Sequence, residues 1–376
     1  MNLPPIFAYE VDFLGPLEKG DPLHGHLAGR INVHMHVTLI DDSIAFDGYS
    51  PSHRPLGGSE KAFASLPLAL FRRGHTVTVI NRCQTHLTAE GVSWMPWDAP
   101  RPSETDVLIA FRKPTLLGAL PAEYRILWLS APAGYLNKRA NREVLEYHRP
   151  KLVFMGDTHR ATWNGASELA CAVIQPGVRE AYRSHDEESV PASPPTAVVT
   201  THPVRGLDRL LATWAKRIHS EVPEARLRVY SSVLDRGRLG GDVPDGVRPV
   251  LDAALALKGQ GVEIERPKAD FEMAGDYRAA RVHLYPAMET EMYCATLAES
   301  QACGLPAVAR PGGAVAERIV EGLTGYVAPD EDAFVNVAVD ILLDDETYNA
   351  LNREAKSLRG KRGWDAAAVE FEELWQ

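Results

Sequence analysis

The chain has 376 residues, 45% of them hydrophobic and 24% charged, and a formal net charge of −10. That length exceeds what one hydrophobic core usually serves, so two compact domains are expected, and the composition excludes a largely disordered chain. The negative balance opposes nonspecific attraction to nucleic acid and to anionic membranes, against which only a local basic patch can act.

Cys83, Cys171, Cys294 and Cys303 form no C-x-x-C pair and stand beside no histidine cluster. Neither a disulfide framework nor a zinc site is expected, and no metal ligand is assigned. With no stretch of about 18 apolar residues and no basic-then-apolar leader, the sequence reads as cytoplasmic. Peripheral attachment to the inner face of a membrane needs only an amphipathic or basic surface and stays open.

After a leader containing Pro4, Pro5, Pro16 and Pro22, the run from Ile31 to Ile40 is rich in Val, Ile and Leu, as a buried strand is, and stops at Asp41 and Asp42. A loop with Pro51, Pro55, Gly57 and Gly58 leads into Ser59 to Arg73, where Phe63, Leu66, Leu70 and Phe71 recur at helical spacing and Gly74 supplies the stop. His75 to Ile80, Asp106 to Ala110, Arg125 to Leu129, Leu152 to Met155 and Cys171 to Ile174 predict short strands separated by helix-length segments. Alternation of this kind predicts a mostly parallel sheet. Residues 184–195, S-H-D-E-E-S-V-P-A-S-P-P, are polar, proline-rich and aperiodic, the composition of a linker.

The alternation then restarts. Thr196 to Thr200, Arg226 to Tyr230, Val262 to Glu265, Val282 to Tyr285 and Ala307 to Ala309 read as strands, Gly206 to Ser220 and Ala295 to Cys303 as helices, and Leu234 to Arg248 as a surface loop. The expected architecture is α/β, with two Rossmann-like, doubly wound domains, 1–183 and 196–355, facing a central cleft. Residues 356–376 form a C-terminal helix expected to pack back toward the first domain. Two such domains place the carboxyl ends of both sheets, where these sheets bind ligands, along one crevice.

The most informative stretch is Leu284 to Pro306, L-Y-P-A-M-E-T-E-M-Y-C-A-T-L-A-E-S-Q-A-C-G-L-P, in which seven residues separate Glu291 from Glu299. It is followed by P-G-G-A-V-A-E-R-I-V-E-G-L-T-G-Y-V-A-P from Pro311 to Pro329, and upstream Gly57-Gly58-Ser59-Glu60 precedes R-G-H-T-V-T-V from Arg73. These segments resemble the retaining glycosyltransferases of family 4 (glycosyl transferases group 1), whose signature is Glu, seven residues, Glu. The resemblance extends over roughly residues 31 to 376. It implies the GT-B fold and a UDP-sugar or GDP-sugar as co-substrate, with no other cofactor. The sugar moves with retained configuration to an unidentified glycan, lipid-linked or small-molecule acceptor on the first domain's side.

Breaking a sugar–phosphate bond leaves negative charge on the diphosphate while the sugar becomes oxocarbenium-like, and the enzyme must stabilise both. A helix starting near Ala295 offers the backbone N–H groups of Thr296 and Leu297 to the diphosphate. The resemblance places Glu299 on ribose hydroxyls. Glu291, on the preceding loop, is the expected catalytic residue, holding the donor sugar's hydroxyls close to the reacting carbon. Thr296-Leu297-Ala298-Glu299 is also a capping box, whose carboxylate folds back on its own helix.

Arg205-Gly206 stands where the family commonly has Lys-Gly reaching the diphosphate, and a guanidinium suits a bidentate phosphate contact. Thr200 and Thr201 stand where a second basic residue is usual. Gly57 and Gly58 allow close backbone approach at a helix start, fitting a phosphate or acceptor contact or a structural turn. Leu127-Trp128-Leu129-Ser130-Ala131 lacks the histidine often found there, and His34, His36 and His159 are its possible substitutes, each also readable as structural. Lys138, Arg139, Arg142, Arg149 and Lys151 form a basic segment, readable as a solvated helix face or as a surface for an anionic acceptor or membrane. Two rival functions are a GT-B nucleotide-sugar epimerase and a sugar-nucleotide binding protein without turnover, while nucleic acid is disfavoured by charge.

Overall fold

The computed structural model describes residues 34–165, 168–183 and 190–376; the leader and the first half of the expected linker, 184–189, lie outside them. Among the described residues the first sheet contains β1 (His36–Ile40), β2 (Thr76–Asn81), β3 (Leu87–Ala89), β4 (Val92–Pro96), β5 (Thr105–Phe111), β6 (Ala122–Trp128), β7 (Lys151–Phe154) and β8 (Cys171–Val173). Their order is β3-β4-β2-β1-β5-β6-β7-β8, and every neighbouring pair is parallel except β3 with β4. Leu39, Leu108, Ile109 and Leu127 are fully buried, as central strands covered on both faces require.

The second sheet contains β9 (Thr196–Val199), β10 (Arg226–Tyr230), β11 (Val262–Glu265), β12 (Val282–Tyr285), β13 (Ala307–Ala309) and β14 (Gly325–Val327), ordered β11-β10-β9-β12-β13-β14 and parallel throughout. Strand order reverses between β1 and β5 in the first sheet and between β9 and β12 in the second. Each reversal opens a crevice at the strands' carboxyl ends.

The helix Gly58–Arg72 covers the first sheet with Phe63, Leu66 and Leu70. The helix Trp364–Glu372 joins the same core: Trp364 and Phe371 meet Trp128 edge-on at ring distances of 6.3 and 5.2 Å, and Glu372 lies 3.1 Å from His75 Nε2 and accepts from Arg73.

Three features depart from the sequence reading. The β3–β4 hairpin turns at Glu90-Gly91, with φ of 49° and 90°, the positive pair that a two-residue turn demands, and a glutamate in its first place conceals it. The short strand β14 begins at Gly325, where an added Cβ would lie 2.0 Å from the Ala307 carbonyl oxygen. The stretch from Leu234 to Arg248 is not all loop: the helix Ser232–Arg238 buries Leu234, capped by the Ser231 hydroxyl accepting from the Leu234 amide.

Candidate active site at the second switch point

The loops leaving β9 and β12 bring the motif residues together. The Thr200 hydroxyl donates to Thr296 Oγ1 at 2.8 Å and lies 3.0 Å from His283 Nε2, whose Nδ1 is 2.8 Å from Ser300 Oγ. Thus Thr200, in the place of a usual basic residue, ties the start of the helix Ala295–Ala302 to the sheet. Burial pushes the His283 pKa down to about 3, so the linking imidazole is neutral.

Glu291 accepts a hydrogen bond from Tyr285 Oη at 2.7 Å and another from Arg205 at 3.4 Å. The Ala314 amide donates to the Glu291 carbonyl at 2.8 Å, which fastens the glycine turn of Pro311–Gly313 beneath the loop. A cleft of about 360 Å³ lies alongside, bordered by Gly206, Met288 and Arg310.

The helix start corrects two expectations. Cys294, in left-handed conformation at φ 53°, is the N-cap residue, so Thr296 lies inside the helix and the capping box does not form. The Leu297 amide, expected to be open to a ligand, already reaches the Cys294 carbonyl at 3.1 Å, whereas those of Ala295 and Thr296 have no intrahelical acceptor.

Glu299 is brought not to the open cleft but to a buried cluster between the domains. Its Oε1 pairs with Lys61 of the first-domain helix, and its Oε2 is buried without a hydrogen-bond partner. Lys61 Nζ lies 3.1 Å from Tyr182 Oη and 3.4 Å from Asp270, which also accepts from Arg179 at 2.6 Å. Burial raises the Glu299 pKa, with Lys61 opposing. Gly58 closes against this helix: an added Cβ would fall 2.3 Å from Ala295 Cβ. Gly57 is the N-cap residue of its own helix.

On the first domain's side, Asp41 follows β1 and Arg112 follows β5. Arg112 holds a left-handed φ of 68°, a strained choice for a side chain of its size, and pairs with Glu60 at 2.6 Å. Lys113 pairs with Asp42 at 2.7 Å, and burial raises the pKa of Asp41. Lys61, Arg112, Arg179 and Asp270 escaped the sequence reading. Only the Arg-Lys pair ending the apolar run of β5 was a local signal.

His159 holds the loop after β6 in place, with its Nε2 2.8 Å from the Ala131 carbonyl and its Nδ1 accepting from the Met155 amide at 3.1 Å. This is a structural role, and burial lowers its pKa. His34 and His36 stand at the amino end of β1, the wrong end for the crevice. In the basic segment, Arg139 pairs with Glu143 and Arg149 with Glu168, at 2.9 and 3.5 Å, while Lys151 donates to the Leu374 carbonyl. Among the described residues no helix is long and apolar enough to cross a membrane, and no group of three or more His, Cys, Asp or Glu is placed to hold a metal ion.

Residues 196–344 match the family model described as glycosyl transferases group 1. The chain is 28% identical over 173 residues to the D-inositol 3-phosphate glycosyltransferase of Kribbella flavida, covering 44% of this chain and 39% of that one. It is 25% identical over 136 residues to the lipopolysaccharide 1,2-N-acetylglucosaminetransferase of Salmonella typhimurium, covering 35% of each. The chain therefore spans well under half the length of these two curated relatives. Among solved structures, sucrose-phosphate synthase from Thermosynechococcus elongatus has a TM-score of 0.67 at 13% identity, covering 91% of this chain and 98% of that one. The Anabaena HepE protein in complex with UDP and glucose has a TM-score of 0.66 at 14% identity, covering 91% and 99%. Both likenesses concern the fold. Residues 196–344 are thus a group 1 glycosyl transferase domain, in a chain with the two-Rossmann GT-B fold.

Proposed function

We propose that the chain is a retaining glycosyltransferase that moves a sugar from a nucleoside diphosphate sugar to a hydroxyl acceptor. The observation that carries this reading is the meeting of Arg205, Glu291 and the start of the helix Ala295–Ala302 at the β9–β12 switch point. The unpaired amides of Ala295 and Thr296 face the charge of a departing diphosphate, and Arg205 turns from Glu291 to a phosphate oxygen when the donor enters. Glu291, steadied by Tyr285, then accepts from hydroxyls of the donor sugar and favours positive charge at the reacting carbon. Glu299 takes the ribose. Retention is what the family resemblance implies.

UDP and glucose in the HepE complex support a UDP-sugar as the first donor to try. The two relatives differ in acceptor, an inositol phosphate in one name and lipopolysaccharide in the other, so the acceptor is proposed only as a hydroxyl compound. The absence of a histidine at Ser130-Ala131 favours one second reading, donor binding without turnover.

Incubation with UDP-sugars and GDP-sugars and a panel of acceptors, with the product's anomeric configuration read by NMR, tests the proposal. Transfer with retention is expected. An inverted product, an epimerised nucleotide sugar without acceptor, or tight donor binding with no product from any acceptor would each overturn it.

A further inference from the structure

Three observations around Glu299 point to a moving contact. Lys61 belongs to the helix that covers the first sheet and Glu299 to the donor helix of the second domain, so their pair spans the crevice. Lys61 and Arg179 balance Glu299 and Asp270 charge for charge, which makes the closed contact tolerable in a buried place. Yet the balance is incomplete in hydrogen bonds, because Glu299 Oε2 has no partner, and the space beside it, of about 10 Å³, is far too small for a ribose. On the same crevice, Glu317 of the second domain accepts from the amides of Asp157 and Thr158 of the first, at 3.2 and 2.6 Å.

We propose that the Lys61–Glu299 pair is a latch holding the crevice shut in the empty protein, and that the ribose of the donor takes the place of Lys61 at Glu299. This rests on the donor reading above. A ligand that binds only the unlatched form is weakened by the fraction of molecules in that form, so breaking the latch tightens binding without adding a contact. Removal of Lys61 leaves Glu299 and Asp270 facing each other with Arg179 alone between them, and shutting the crevice becomes unfavourable.

The experiment pairs Lys61→Met with Lys61→Arg, which keeps the charge. It measures the radius of gyration of the nucleotide-free protein by small-angle scattering and the affinity for UDP and GDP by calorimetry. Lys61→Met is expected to be more expanded and to bind the preferred diphosphate about tenfold tighter, corresponding to an open fraction of roughly a tenth in the wild type. Lys61→Arg should restore both values toward wild type, which general loss of packing would not. Should Lys61→Met fail to fold, Glu299→Gln breaks the same pair from the other side and must show the same expansion. Unchanged dimensions and affinity in the folded variants, with a wild type that binds UDP or GDP, overturn the latch alone. A wild type that binds neither overturns the donor reading and the exchange at Glu299 together, and the scattering then still reports whether the pair closes the crevice.

Discussion

The two switch points of the molecule are built alike and filled differently. At β1–β5 the charged groups are already engaged: Arg112 with Glu60, Lys113 with Asp42, and Asp41 as acceptor from the Ser43 hydroxyl. At β9–β12 a helix start with open amides, a guanidinium and a carboxylate converge beside a cleft of about 360 Å³. Equivalent topology therefore carries different local chemistry, and the open donors stand at the second switch point.

The sharpest way to break this contrast is Glu291→Gln. If the carboxylate acts on the sugar in the transition state, transfer falls by about 10²–10³, comparable to losing one preorganised electrostatic group, while affinity for the free diphosphate is kept. Equal loss in both would place Glu291 in nucleotide binding instead. Arg205→Ala comes next, expected to cost about 1.5–3 kcal/mol in diphosphate binding and little in nucleoside binding. Equal losses for nucleoside and diphosphate would remove Arg205 from the phosphate site.

His283 sharpens the comparison through stability, because it fastens the second switch point. Its pKa falls from 6.5 to about 3 on folding, so the unfolded chain takes up a proton that the folded one refuses. The contribution is therefore present above pH 6.5 and is lost as pH drops below it, by about 2 kcal/mol between pH 7 and 5. Denaturant titrations of wild type and His283→Gln at pH 7 and 5 measure it; an equal decline in both would assign the effect elsewhere. The smallest effect is expected from chelator, since helix amides and Arg205 offset the diphosphate charge in this account. Nucleotide affinity should be the same with and without EDTA, and a strict need for magnesium would contradict the site.

Much of the second domain was legible because its signals are local. β10, β11, β12 and β13 are apolar runs bounded by polar residues, and Glu291 and Glu299 share one continuous stretch. What was hidden depends on contacts between distant segments. Nothing near Lys61 in sequence announces Glu299, 238 positions onward, and the Thr200–Thr296 bond joins residues 96 apart. The capping box misled for a related reason: its four letters fit, but the left-handed Cys294 starts the helix two residues too early for Thr296 to cap it.

Ribose recognition by Glu299 tests the central claim most directly, since the residue must leave Lys61 to act. Calorimetric affinities of ribonucleoside and deoxyribonucleoside diphosphates for wild type and Glu299→Gln, with thermal stability alongside, separate recognition from packing. The account predicts that the wild type prefers the ribonucleotide and that Glu299→Gln loses this preference, whatever its overall affinity. A variant that is less stable yet still discriminates the ribose as the wild type does would contradict the donor site at that residue.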